Sequence, residues 1–456
     1  MHRRTPVEPS VRPTRARRGW AVLTIALAVS LAAALAPGVA SPAAAASPPD
    51  QWTGVYGSAG SSSTNTGEHV LTAGNAGKIT QAFAATNRTG GSYPPVVLGG
   101  VVYTVGGTTS PRFYASSPRT GKALWSMALP YAVSSYGYGM TGTGSTVLIS
   151  FGTSPAGGVL VVDVAKHAIT ARAFLPKATT PGADRTYPGT PTTDGTRVFL
   201  FGSGYPVLAF SVKSGKLLWK HSYTPNNNDG IDFVYGFAVG GGTFYTSGGE
   251  GLVAYSATTG RKKWTSDPAF SYGTPVLAGG RVFVNVSDAV AAFPAAGCGA
   301  ASCKPLWSTA VDSYDSDIIG IAGADSTNLF ITYRTSHEPD PTKCEARFAG
   351  HIARLSASTG TVKWQTEVGD FAQGMVRGGD VVWIVNEYGE FQNGTCVGDQ
   401  YRLLAYSTTA TATAPLAALP IDSAYFYYPQ TLAVASGTVF QSPNSSTLVG
   451  YRVPGT

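Results

Sequence analysis

Short apolar runs rich in β-branched and aromatic side chains recur along this chain, broken by glycine pairs. Pro95-Val96-Val97-Leu98-Gly99-Gly100-Val101-Val102-Tyr103 and Pro275-Val276-Leu277-Ala278-Gly279-Gly280-Arg281-Val282-Phe283 each set two such runs about a Gly-Gly turn. That arrangement is a tight-hairpin signal. Downstream of each hairpin comes a third run such as Leu208-Ala209-Phe210, Val253-Ala254-Tyr255 or Leu404-Ala405-Tyr406, and eight of these third runs occur. Four lead into nearly the same six residues: Thr120-Gly121-Lys122-Ala123-Leu124-Trp125, Ser214-Gly215-Lys216-Leu217-Leu218-Trp219, Thr259-Gly260-Arg261-Lys262-Lys263-Trp264 and Thr359-Gly360-Thr361-Val362-Lys363-Trp364. A fifth copy, Cys303-Lys304-Pro305-Leu306-Trp307, keeps the tryptophan but has a cysteine-bounded stretch in place of the glycine turn. The five tryptophans are 94, 45, 43 and 57 residues apart, the first interval spanning two periods. A period of about 45 to 50 residues marks propeller blades or a solenoid.

The repeating unit predicts four antiparallel strands: strand, Gly turn, strand, loop, strand, Thr-Gly turn, and a last strand carrying Trp. The unit from Tyr428 to Tyr451 supplies three strands and stops before its tryptophan strand, while Gly77-Lys78-Ile79-Thr80-Gln81-Ala82-Phe83 has the pattern of a fourth strand with no third before it. Pairing the two ends closes the ring and removes its open edges. The expected fold is therefore all-β, an eight-bladed β-propeller of four-stranded antiparallel blades completed by an N-terminal strand. The propeller is expected over residues 77–456, with 1–46 a signal peptide and 47–76 an N-terminal extension. Two copies of the motif have decayed, at 163–171 and after Tyr406.

The spaced Gly-x-x-x-Trp copies resemble the secreted pyrroloquinoline-quinone-like repeat propellers, a group that includes outer-membrane assembly scaffolds of the BamB type and the quinoprotein dehydrogenases. The resemblance covers nearly all of the chain after the signal region. It implies the fold, and one fold hosts many functions. Its scaffold branch implies a protein partner. Its dehydrogenase branch implies a quinone, a vicinal cysteine pair, a Ca²⁺ and often a haem, yet no two cysteines here are adjacent and no Cys-x-x-Cys-His occurs. The resemblance therefore carries the fold over without the cofactor.

Charge and cysteines refine the compartment. Arg3, Arg4, Arg12, Arg15, Arg17 and Arg18 precede an apolar run from Ala21 to Ala36 and the small-residue tail Ala44-Ala45-Ala46. That order is a secretory signal rather than a membrane span, which needs a longer apolar run; Arg17-Arg18 leaves a twin-arginine route open. Without this segment 26 basic residues face 24 acidic ones, which gives no reason to expect nucleic acid. The product is expected to be secreted or extracytoplasmic and monomeric, with no integral membrane segment. Export favours pairing the four cysteines: Cys298 with Cys303 across an enlarged turn of blade 5, and Cys344 with Cys396 between equivalent loops of blades 6 and 7. A four-cysteine metal site is excluded because the two pairs fall on opposite faces of the disc.

In a propeller the loops leading into each first strand share one face with the second-to-third connections. The Gly-Gly and Thr-Gly turns share the other. The leading loops carry Tyr93, Tyr138, Tyr187, Tyr235, Tyr272, Phe371 and Tyr428, among further aromatics. Two readings stand for this set: a ligand-binding ring at the channel mouth, for which a flat ring with a polar tip suits peptides and glycans, or packing between blades. Arg334 and His337 are added as ligand-binding candidates from the charged blade 6 connection, which faces Glu387, Glu390 and Asp399 of blade 7. Those charges suit either a binding surface or a solvated loop. No cofactor is expected, although Asp312, Asp315, Asp317 and Asp370 leave a Ca²⁺ site open.

A non-catalytic propeller binding a protein or glycan partner is the preferred reading. An extracellular enzyme is the alternative, either a lyase using Tyr187, His337, Arg334 and Arg185 on an acidic polysaccharide or, less favoured, a quinone-dependent dehydrogenase.

Overall fold

The structure is a computed structural model that describes residues 50–86, 94–107, 110–131, 139–153, 156–176, 189–202, 205–221, 234–267, 271–286, 289–311, 320–336, 348–369, 371–392, 395–409, 414–421, 432–442 and 446–456. The expected signal peptide lies outside these residues. Eight antiparallel sheets follow one another along the chain. Blade 1 runs Val96–Leu98, Val101–Gly106, Arg112–Ser116 and Ala123–Ala128 in that order across the sheet. Blades 2 to 7 repeat the order, including blades 2 and 7, whose motifs have decayed. Blade 8 is Leu432–Ala435, Thr438–Gln441 and Leu448–Arg452, completed by Thr80–Ala85, which pairs antiparallel to the last strand with Thr80 opposite Arg452. The ring closes as the chain ends implied.

The repeated six residues have a mechanical explanation. Each turn glycine is left-handed (φ 65° at Gly121, 67° at Gly215, 71° at Gly260, 72° at Gly360), a conformation cheap only for glycine. Its N–H donates to the serine carbonyl four residues back, Ser117, Ser211, Ser256 or Ser356. The fourth strand then slips register one step before Trp125, Trp219, Trp264 and Trp364, a β-bulge that re-aims the following side chain. Two of the tryptophans fasten to the next blade in the same way. The Trp219 indole donates to the Ala257 carbonyl at 3.0 Å and that of Trp307 to Ala357 at 3.1 Å. A Cβ at Gly260 would lie 2.8 Å from the Trp219 ring, and one at Gly360 2.5 Å from Trp307. At the seam Phe83 takes the tryptophan's place, under Gly121 of blade 1.

Blade 5 departs from the rule. Cys298 and Cys303 form the expected disulfide, and the turn it clips lays Ser302–Cys303 parallel to the fourth strand of blade 4 as a fifth strand. The Cys303 side chain is fully buried there. Cys344 lies outside the described residues, as does the Cys396 side chain, so the second expected bridge is not described.

Residues 50–68, read from sequence as part of an extension ahead of the propeller, bond to the innermost strands around the ring. Trp52 exchanges two backbone hydrogen bonds with Val97 of blade 1 (3.0 and 2.7 Å), and the Thr53 carbonyl accepts from Gly142 of blade 2. The Ala59 carbonyl accepts from Val239 of blade 4 at 2.8 Å and, at 3.5 Å, from the Thr192 hydroxyl of blade 3. Gly60, Ser62 and Ser63 accept from Leu277, Ala324 and Arg377 of blades 5, 6 and 7. Thr64–Asn65 runs parallel to Arg377–Gly378, and the Asn65 amide donates to Val434 of blade 8 and to Asp50, closing the circuit. All these contacts fall near the Gly-Gly turns. The segment is a strap across the channel at the turn face.

Candidate functional site

With the strap at the turn face, the loop face is left as the end of the channel where the first strands begin. Trp52 is fully buried in the strap. Beyond it the chain folds back through Thr53 N–H to Gly57 and Ser63 N–H to Tyr56, with Ser61 and Ser63 left-handed at φ 55° and 48°. The Tyr56 hydroxyl hydrogen-bonds the side chain of Thr274 in blade 5, and burial raises its pKa. Blade 5 stands opposite blade 1 in an eight-membered ring, so the segment that starts against blade 1 puts this phenol across the channel.

Of the aromatic candidates, Tyr235, Tyr272 and Phe371 sit at the loop-face ends of the first strands of blades 4, 5 and 7. Their side chains, and all of Tyr93, Tyr138, Tyr187, Tyr428 and His337, lie outside the described residues. The backbones beside them are drawn close. A Cβ at Gly236 would lie 2.2 Å from Thr274 Oγ1, and one at Gly139 2.5 Å from the Thr190 backbone. Glycine at these points lets the inner strands of neighbouring blades touch near the mouth. The acidic group Asp312, Asp315, Asp317 and Asp370 is outside the described residues; within them no cluster of three His, Cys, Asp or Glu could hold a metal ion.

Blades 6 and 7 carry the polar features of this face. In blade 6 Arg334 is half-buried and pairs across the sheet with Gly350. Beside it Tyr333 and His351 stack at 4.9 Å, the Tyr333 hydroxyl donates to Gln365 Oε1 at 3.1 Å, and His351 Nε2 meets Thr335 Oγ1 at 2.9 Å. Burial lowers the His351 pKa, and the exposed Glu367 opposite partly offsets it. In blade 7 the second and third strands are a long hairpin, Val381–Gln392 paired with Thr395–Ser407. The connection read from sequence as a charged loop is thus largely strand. Arg402 lies 3.9 Å over the Tyr388 ring and donates through Nε and Nη2 to Asn386 Oδ1 at 3.1 and 3.0 Å. Asn386 is held in turn by its own bond to the Glu387 carbonyl at 2.7 Å and by Gly369 of blade 6, where a Cβ would lie 2.6 Å from the amide nitrogen.

Asn386, Tyr388 and Arg402 were not among the residues singled out from the sequence. Asn393-Gly394, flanked by the paired residues Gln392 and Thr395, was the signal that could have found the hairpin. What the arrangement offers chemically is recognition: an oriented, half-buried guanidinium backed by an aromatic face, suited to planar or anionic polar groups.

The family model described as outer membrane protein assembly factor BamB matches residues 57–296. No curated protein sequence matches the chain. Among solved structures, BamB from Moraxella catarrhalis is similar with TM-score 0.52 and 12% identity, over 82% of this chain and 99% of that one. A quinohemoprotein alcohol dehydrogenase from Comamonas testosteroni is similar with TM-score 0.57 and 12% identity, over 91% and 82%. A second such dehydrogenase, from Pseudomonas putida HK5, matches with TM-score 0.57 and 13% identity, over 89% and 81%. At these identities the likeness to the solved structures is one of fold.

Proposed function

The chain belongs to the family described as outer membrane protein assembly factor BamB, and on that footing we propose that it is an exported, non-catalytic propeller that binds a protein partner through its loop face. The observation that carries the reading is the strap. By bonding around the innermost strands, residues 50–68 occupy the turn-face end of the channel and leave the loop-face end to a partner. There the blade 7 hairpin presents Tyr388 and Arg402, a residue pairing favoured at protein contacts. The name of the family supports a protein partner over a glycan. The Cys298–Cys303 disulfide supports an oxidising compartment, and no helix of the described residues is long and apolar enough to cross a membrane.

The reading involves no quinone. The disulfide closes an outer turn between residues five apart rather than joining neighbours at the channel, and Tyr56 reaches across the channel to Thr274. Neither feature suits a flat cofactor stacked in the channel.

Peptide and glycan arrays probed with the mature chain and with a Tyr235→Ala, Arg402→Ala double variant test the proposal. Peptide binding that weakens at least tenfold in the variant, with its cooperative unfolding transition retained, is the expected result. Glycan spots bound without peptide spots would reassign the ligand, and turnover of an acidic polysaccharide would overturn the non-catalytic reading.

A further inference from the structure

We propose that the outer rim of the turn face is a docking surface for an anionic lipid bilayer, independent of the partner site on the loop face. The third-to-fourth turns and fourth-strand starts carry Lys122 in blade 1, Lys216 in blade 3, Arg261 in blade 4, Lys304 in blade 5 and Lys363 in blade 6, and Lys78 stands at the same step before the closing strand of blade 8. All six are exposed. Among the described residues none has a carboxylate within ion-pair distance, in contrast to Lys166 of blade 2, which Asp163 holds at 2.8 Å. Basic and acidic residues nearly balance after the signal region, but the acids Asp163, Asp194 and Asp325 in the turns of this face are already paired with Lys166, Arg197 and Arg377, which leaves the six cations of the rim without a partner among them.

Apolar side chains share the rim. Leu124 is 58% exposed, Leu306 56%, Leu218 48%, Val362 43% and Leu217 42%. These five make up most of the seven large hydrophobics left exposed among the described residues, and each lies one or two positions before the blade's tryptophan. The bulge explains the placement at Leu124 and Leu218. The slipped residue has no partner across the sheet, so it turns outward while the tryptophan turns in. Chain direction is the same in every blade, which puts the cations and leucines on one face. Exposed leucine beside unpaired lysine is the pairing that the headgroup region of a bilayer accommodates, lipid phosphate meeting the cation and the acyl boundary meeting the leucine. A soluble polyanion would use the cations and gain nothing from the leucines.

The test is flotation of the mature chain with vesicles of phosphatidylcholine, alone or mixed with phosphatidylglycerol. Binding to the mixed vesicles alone, weakening as salt rises through the range where the Debye length shrinks below about 10 Å, is expected. A Lys122→Glu, Lys216→Glu, Arg261→Glu, Lys304→Glu variant is expected to lose at least about tenfold in partition coefficient, and a Leu124→Ser, Leu218→Ser, Leu306→Ser variant severalfold. Absence of wild-type binding, or equal binding to neutral vesicles, would overturn the proposal. So would full retention by the leucine variant together with displacement of the wild type by a soluble acidic polysaccharide, which would identify a polyanion instead. The wild-type salt series and displacement need no variant, and loop-face partner binding is a separate readout.

Discussion

Trp307 fills the space under the next blade's turn and satisfies its own indole nitrogen there, so Gly360 is fixed twice over, by φ 72° and by a ring that a Cβ would approach to 2.5 Å. Gly280 has φ 74° but nothing within 4 Å of the position a Cβ would take. Gly360→Ala is therefore expected to cost about 2–4 kcal/mol, overpacking added to left-handed strain, and Gly280→Ala about 1 kcal/mol. Urea unfolding distinguishes them. A second residue-scale effect is acid sensitivity. Burial opposes ionisation of Asp325, but the Arg377 guanidinium and the backbone N–H groups of Thr327 and Asn328 outweigh it and hold the carboxyl at about 2 against an ordinary 3.8. A carboxyl depressed in the folded state stabilises fully above its unfolded pKa, and the contribution, about 2 kcal/mol, is lost as pH falls from about 4 to 2. Arg377→Met is expected to flatten stability over that window, as read from unfolding at stepped pH. The glycines and tryptophans were legible because a repeat forces them into register. The Asp325–Arg377 pair was not, since it joins blades 6 and 7 across 52 residues with no local pattern to mark it.

Strap and hairpin show where sequence reading stops at the scale of elements. Asp50–Asn65 has no period-two alternation, because its backbone passes from one blade to the next at intervals of one to six residues and no face is repeated. Its one strong cue, Trp52, is fully buried against blade 1. Glu68 continues the anchorage: its carboxylate is buried, accepts from Val70, Leu71 and Gly437 at 2.7, 3.0 and 2.8 Å, and has its pKa raised by desolvation. If the strap is part of the folded core, Trp52→Ala costs about 3–5 kcal/mol and lowers the melting point of the whole ring in calorimetry. A separate, earlier transition would make the strap an appendage. The blade 7 hairpin is the converse case. Its alternation and its Asn-Gly dipeptide were on view, but the acidic residues among them invited a loop reading.

At the scale of the whole molecule, strand count, blade order and the N-terminal closure follow from the chain alone, because the unfinished last unit and the orphan first strand complement each other. The functional face does not follow. Of its seven candidate aromatics only Tyr235, Tyr272 and Phe371 fall in described strands, at their ends, where the repeat no longer constrains them. Closure rests on Thr80–Ala85 and on Phe83 beneath Gly121. Phe83→Ala is expected to speed amide hydrogen exchange in Leu448–Arg452 at least tenfold while blades 3 to 5 keep their protection. Uniform loss of protection would mean that the ring opens only by unfolding altogether.

The strap also sets a schedule. Trp52 and Thr53 can dock on blades 1 and 2 early in synthesis, but Asn65 awaits Val434 and Thr80 awaits Arg452. Residues at the N-terminal end of the described chain thus reach their final places only after the last strands exist. Contacts spanning that much sequence make for slow folding, with a bare outer edge on Leu448–Arg452 of blade 8 until the ends meet. Such a protein has reason to delay assembly until the whole chain is free, and its slowest refolding phase should report the meeting of its two ends.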